Sequence, residues 1–185
     1  ETKMRKVLII FLMIVYACVP ALAAEANMLM NPGFDSLDSS ALPDGWYKDM
    51  WDFGSGVSYL EATSDGHDGN GIKIVNASEN DARFCQDVAV EPDSIYEIRC
   101  MAKAEGVADT GIGANISVKG TFSYSDQLYD TAGEWVELIV YGKTGSNQDE
   151  LTLCARLGGY SGTVTGSAWF DSFSMKKVDS APDGF

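Results

Sequence analysis

Only one imidazole is available to this chain, His67, and that prunes its chemistry before anything else. A histidine pair for a metal, a two-histidine proton relay and an HExxH site are excluded, and a Ser-His-Asp set would need His67 itself. His67 sits in Asp65-Gly66-His67-Asp68-Gly69-Asn70, a Gly/Asp-rich turn in which a histidine reads as a solvated loop residue rather than a base. Two carboxylates about 5–9.5 Å apart can hydrolyse glycosidic bonds, but the chain has 27 acidic residues and no motif singles out a pair. We assign no catalytic residue. Binding chemistry is better supplied. Arg99 alternates with Ile98 and Cys100, and Arg156 is out of phase with Leu153 and Leu157, so both can project from one sheet face, with Gln86 nearby if a bulge shifts its phase. Two forked guanidinium donors there suit vicinal hydroxyls or a uronate carboxylate; the alternative is that each pairs with one of the many acids.

The elements that must position these groups are strands. No stretch sustains a 3.6-residue apolar period, while period-two or short apolar runs bounded by Gly, Asp, Asn and Ser recur throughout. The pattern predicts strands over 59–63, 71–76, 82–90, 95–104, 113–122, 134–142, 150–157 and 167–178. Eight such strands suit an all-β, two-sheet antiparallel sandwich of the jelly-roll type. Residues 31–58 lack a period and carry Phe34, Trp46, Tyr47, Trp51 and Phe53, so we expect a long ordered loop wrapping the sandwich. The 185 residues, 45% apolar, can bury one sizeable core. Lys+Arg total 13 against Asp+Glu 27, a net charge of −14, which repels polyphosphate and argues against nucleic acid.

The first residues read as an address. Lys3, Arg5 and Lys6 precede an unbroken apolar run over 7–19, followed by Pro20-Ala21-Leu22-Ala23-Ala24 with small residues at the cleavage positions. Residues 1–23 are expected to be a secretory signal peptide, with 1–3 upstream of Met4, since the run is shorter than the ~20 residues a spanning helix needs. Val15-Tyr16-Ala17-Cys18 resembles a bacterial lipobox with Tyr16 as a poor fit, so a membrane becomes a partner only if Cys18 is lipidated. Residues 24–178 form the domain and 179–185 a linker or trailing end. The exported part holds Cys85, Cys100 and Cys154, an odd number. Strand phase turns Cys100 inward and Cys85 outward. A Cys85–Cys100 bridge is awkward, and Cys85–Cys154 requires neighbouring strands; the reading adopted is three unpaired thiols, one in the core.

Five local patterns fall in order: Asn31-Pro32-Gly33-Phe34-Asp35, Asp44-Gly45-Trp46, Gly69-Asn70-Gly71-Ile72-Lys73-Ile74, the stretch from Gln86-Asp87-Val88 to Tyr96-Glu97-Ile98-Arg99, and Ala168-Trp169-Phe170-Asp171-Ser172-Phe173. Together they resemble the galactose-binding-like jelly-roll carbohydrate-binding modules, the grouping of families 4, 9, 16 and 22. Ser172 departs from the usual closing "FDD". The resemblance implies a non-catalytic module, secreted or at the cell surface, that binds a polysaccharide or oligosaccharide and targets an attached enzyme or surface protein. The rival readings are an adhesive sandwich without sugar affinity and a jelly-roll polysaccharide-active enzyme. It also implies a structural Ca²⁺ held by Asp35 and Asp171, with backbone oxygens of the 65–70 loop completing the shell. Aromatic platforms in this fold sit on loops and strand edges, which points to Trp46, Tyr47, Trp51, Tyr124, Tyr129 and Tyr160; the Gly-Trp tryptophan, Trp46, packs the core in some relatives and lies near the sugar in others. Trp135 and Trp169, phased with apolar neighbours, are expected in the core.

Overall fold

The computed structural model describes residues 26–183; the expected signal peptide, Cys18 and the last two residues lie outside them. Nine strands form two antiparallel sheets: β1 (Tyr47–Met50), β2 (Ser58–Thr63), β3 (Gly71–Asn80), β4 (Ala82–Ala89), β5 (Ile95–Glu105), β6 (Ala114–Val118), β7 (Val136–Lys143), β8 (Glu150–Leu157) and β9 (Val164–Val178). One sheet has the order β1-β4-β8-β6, the other β2-β3-β9-β5-β7. All eight expected strands form, because each alternates side chains between an apolar inner and a polar outer face. A ninth, β1, lies inside the segment expected to be a loop; four residues are too few for alternation to register. The strand expected over 113–122 stops at Val118, where the chain turns through Gly120 at φ +81°.

Ile72, Ile74, Phe84, Ile98, Leu153 and Phe170 are wholly enclosed between the sheets. Each such side chain contributes roughly 1.5–3 kcal/mol by leaving water. Cys100 joins this core as a free thiol, as its phase requires. The reading of three unpaired cysteines is corrected, since Cys85 and Cys154 form a disulfide. They stand directly opposite each other on β4 and β8, with a Cα separation of 4.2 Å. Trp169 is also relocated. It is buried, but on the outer face of the five-stranded sheet, between the ammonium groups of Lys73 and Lys103 at 4.6 and 5.0 Å from its ring. Trp135 is half-buried beside it, its ring 4.9 Å from Lys103 Nζ.

Candidate functional site

The order β1-β4-β8-β6 brings four sequence-distant segments side by side, and their register writes three rows across the outer face. One row reads Asp49, Arg83, Arg156, Asn115; the next reads Tyr47, Cys85, Cys154, Ser117. Arg83 and Arg156 are thus opposite neighbours, an arrangement that repels unless a carboxylate stands between them. Asp81 does. Its Oδ1 accepts from Arg156 Nε at 2.6 Å and its Oδ2 from Arg83 Nη1 at 2.7 Å, and all three side chains are buried. Asp49 accepts from Arg83 Nε at 3.0 Å and pairs with Lys119 Nζ at 2.9 Å, so the lysine reaches across the face from the end of β6. Burial pushes the Asp49 carboxyl up, but hydrogen bonds from Lys119 and Arg83 outweigh it and hold its pKa below the ordinary value. In the third row Asp87 accepts from the Tyr47 hydroxyl at 3.0 Å and from Thr152 at 2.6 Å.

Aromatic rings frame this charge-paired floor. The Arg156 guanidinium lies 4.1 Å from the centroid of Tyr160, a residue half exposed to solvent. Tyr160 is carried on the turn after β8. Gly158 allows that turn, because at its φ of +103° a Cβ would sit 2.5 Å from the Asn80 carbonyl oxygen. The turn after β6 folds toward it, and Gly120 N–H donates to the Tyr160 hydroxyl at 3.3 Å. A cavity of about 30 Å³ lies beneath these two turns. On the far side of the same β6 turn a cleft of about 540 Å³ runs along β7 past Phe122, Tyr124, Ile139 and Tyr141, with no buried polar side chain in its walls.

The expected binding residues scatter. Tyr47 belongs to the face, half-buried over the disulfide. Tyr124, exposed, pairs with Ser117 along the free edge of β6. Trp51 is 78% exposed on the loop after β1, its backbone N–H donating to the Asp81 carbonyl at 2.9 Å, which places it at the arginine end of the face. Tyr129 is drawn into the framework instead, its hydroxyl bonded to Gly111 O at 3.0 Å and Gln127 Oε1 at 2.8 Å. Trp46 is corrected from platform to core: 4% exposed, it packs 5.1 Å from both Phe34 and Phe173, and its Nε1 donates to Met30 O at 3.2 Å. Gln86 is corrected too. It is buried, and its amide clasps the Met30 backbone at both ends, accepting at 2.8 Å and donating at 2.9 Å, so both of its polar atoms are engaged in the framework. Arg99 and Arg156 do not share a face, because β5 and β8 lie in different sheets. Arg99 is held by Glu97, which it draws down to a pKa of about 2 against the upward push of burial, and by Glu137 at 2.9 Å.

Asp35 and Asp171 both meet the 65–70 loop. Asp171 is buried, its Oδ2 accepting from Asp68 N–H at 2.8 Å; exposed Asp35 accepts from Asn70 Nδ2 at 3.2 Å. Gly66 makes the loop this tight, since a Cβ there would fall 1.9 Å from Asn70 O. Among the described residues no group of three or more His, Cys, Asp or Glu side chains is placed to hold a metal.

No protein-family model matches the sequence, and no curated protein matches it. Solved structures do match. A CBM4 module aligns at a TM-score of 0.51 and 18% identity over 80% of this chain and 99% of its own. The CBM22-1 xylan-binding domain from Paenibacillus barcinonensis Xyn10C aligns at 0.51 and 17% over 86% and 100%. The enzymatically active domain of bacteriophage CBA120 tailspike protein 4 aligns at 0.56 and 11% over 82% of this chain and 21% of its own. The chain has the jelly-roll β-sandwich fold of carbohydrate-binding modules. At these identities the likeness is one of fold, and the face has to be argued from its own residues.

Arg83, Asp81, Asp49 and Ser117 escaped the sequence reading. Arg83 carried a usable signal, since it shares the outward phase of Cys85 within one strand. Asp81, just before β4, and Asp49, in the short β1, carried none.

Proposed function

We propose that this chain is a non-catalytic glycan-binding module and that the outer face of its four-stranded sheet is the binding surface. The observation that carries this is the combination on one face of tyrosine rings, two exposed and one half-buried, and paired polar groups. Tyr47, Tyr124 and Tyr160 offer flat apolar surfaces to the C–H faces of sugar rings. Arg83, Arg156 and Lys119 are balanced by Asp49, Asp81 and Asp87, so the patch is neutral on a chain of net charge −14. A neutral, prearranged polar floor suits hydroxyl groups. Each carboxylate of the face is engaged, Asp49 by Arg83 and Lys119, Asp81 by Arg83 and Arg156, and Asp87 by Tyr47 and Thr152, which supports a binding rather than a hydrolytic role. Export, and attachment to an enzyme or surface protein that the module would hold against its substrate, complete the reading.

The test is affinity electrophoresis against a panel of soluble glycans, with reducing ends assayed in parallel. Retardation by at least one glycan, without product release, is expected. Migration unaffected by every glycan would leave a structural sandwich, and released reducing ends would make it an enzyme.

The same reading includes a structural Ca²⁺ at Asp171 and Asp35. Its support is the buried Asp171 carboxylate, which accepts backbone N–H bonds from Asp68 and Ser172 and has no lysine or arginine partner among the described residues. A buried, uncompensated carboxylate is costly, and a hard cation with carboxylate and carbonyl ligands would relieve it. The ion would support the fold, since the 65–70 loop belongs to the side of the five-stranded sheet.

A further inference from the structure

Ser117 Oγ is the one buried side-chain oxygen or nitrogen among the described residues with no hydrogen-bond partner. Leaving a hydroxyl so costs about 1–3 kcal/mol, and a β-strand outer face would ordinarily leave it to water. It lines the cavity of about 30 Å³ under the β6 and β8 turns. The floor of that cavity is buried and polar, formed by Asn115, Ser117 and Arg156; its rim, formed by Phe122, Tyr124, Tyr160 and Ser161, is exposed.

The free valences of the floor match one kind of group. Asn115 donates both amide protons, to Gly113 O at 2.8 Å and Gly158 O at 3.2 Å, so Oδ1 is what it can still offer, as an acceptor. Asp81 takes Nε and Nη2 of Arg156 and leaves Nη1 as a donor. Ser117 Oγ can do either. Three residues that can still offer an acceptor, a donor and a hydroxyl line a space the size of one water molecule, and together they complement a group that both donates and accepts through a single oxygen. A pyranose ring cannot enter. The hydroxyl of a hydroxymethyl arm can, while its ring rests on the exposed rim of Phe122, Tyr124 and Tyr160, the last held in place by Arg156 and Gly120.

We propose that this cavity receives the exocyclic hydroxymethyl group of a hexopyranose unit, so that the face selects hexose polymers over pentose polymers, which lack that arm. This rests on the glycan-binding reading of the same face. The test is isothermal titration of the full chain with mixed-linkage β-glucan, galactan and galactomannan against arabinoxylan, for the wild type, Ser117→Ala and Ser117→Val. At least one hexose polymer is expected to bind tenfold or more tighter than arabinoxylan. Both variants should lose about tenfold on that polymer while melting at or above the wild-type temperature, because an unsatisfied hydroxyl has been removed. Arabinoxylan bound as tightly as any hexose polymer would overturn the selectivity. Variants that keep wild-type affinity would mean that the cavity holds a water only. A wild type that binds none of these glycans would overturn the glycan-binding reading, and this inference with it.

Discussion

Severing the Cys85–Cys154 bridge tests whether the strand order of the four-stranded sheet is right. The bridged residues are 69 apart in sequence. Opening a loop of about 70 residues returns ~4.4 kcal/mol of chain entropy to the unfolded state at 25 °C by the loop-closure relation, and residual structure in that state lowers the expected loss to about 2–4 kcal/mol. The assay is urea unfolding followed by tryptophan fluorescence, with and without reductant, on the wild type and on a Cys85→Ala/Cys154→Ala variant. The oxidised wild type should exceed its reduced form by that amount. The variant should lie about 1 kcal/mol below the reduced wild type, because two buried sulfurs have gone, and reductant should not move it. Cys100 is enclosed in the core without a partner, so it gives reductant nothing to act on. A reductant effect below about 0.5 kcal/mol on the wild type, or an equal effect on the variant, would refute the pairing and with it the adjacency of β4 and β8.

Tyr160→Ala should weaken glycan binding about tenfold, ~1.4 kcal/mol, with the melting temperature nearly unchanged, whereas Trp46→Ala should cost ~3–5 kcal/mol of fold stability; titration and thermal melts separate the two. Chelation by EDTA should lower the melting temperature, calcium should restore it and Asp171→Ala should abolish the response, because an ion bound only to the folded state stabilises by mass action; a melt that added calcium does not raise in protein first shown to be metal-free counts against the site. Glu97 has a pKa of about 2 in the fold against an ordinary 4.5, so its contribution is present above pH ~4.5 and is lost as pH falls toward 2. Arg99 and Lys176 are a third to a half exposed, which screens that contribution to on the order of 1–2 kcal/mol; Glu97→Gln should flatten the acid limb of a pH–stability profile by that amount.

Much of the architecture is legible in the sequence because a sandwich strand has a period of two, and period two survives without knowledge of the neighbours. It places Ile98 and Cys100 inward and Arg156 outward, and it gives eight of nine strands within a few residues. Trp46 and Trp51 mark where that reasoning ends. They are the same residue type five positions apart, in a segment without a period, and one is sealed between Phe34 and Phe173 while the other stands in solvent. Gln86 and Tyr129 were lost to framework hydrogen bonds with Met30 and Gly111, partners that no local spacing announces.

What the sequence determined by itself is therefore the facing of each strand, the lack of a histidine pair and a net charge of −14 that argues against polyphosphate as a partner. Phase turned Cys85 outward but could not supply strand adjacency, and the unpaired thiols expected from it gave way to the Cys85–Cys154 bridge. That adjacency is a tertiary fact. The order β1-β4-β8-β6 sets Cys85 against Cys154, stations Arg83 opposite Arg156 with Asp81 between them, and roofs Ser117 with two turns more than thirty residues apart. It also sends Arg99, which shares Arg156's outward phase, to the other sheet. Alternation is a property of one strand and can be read along it. Adjacency is set by which sheet edges bury the most apolar surface together, and only the folded chain settles that.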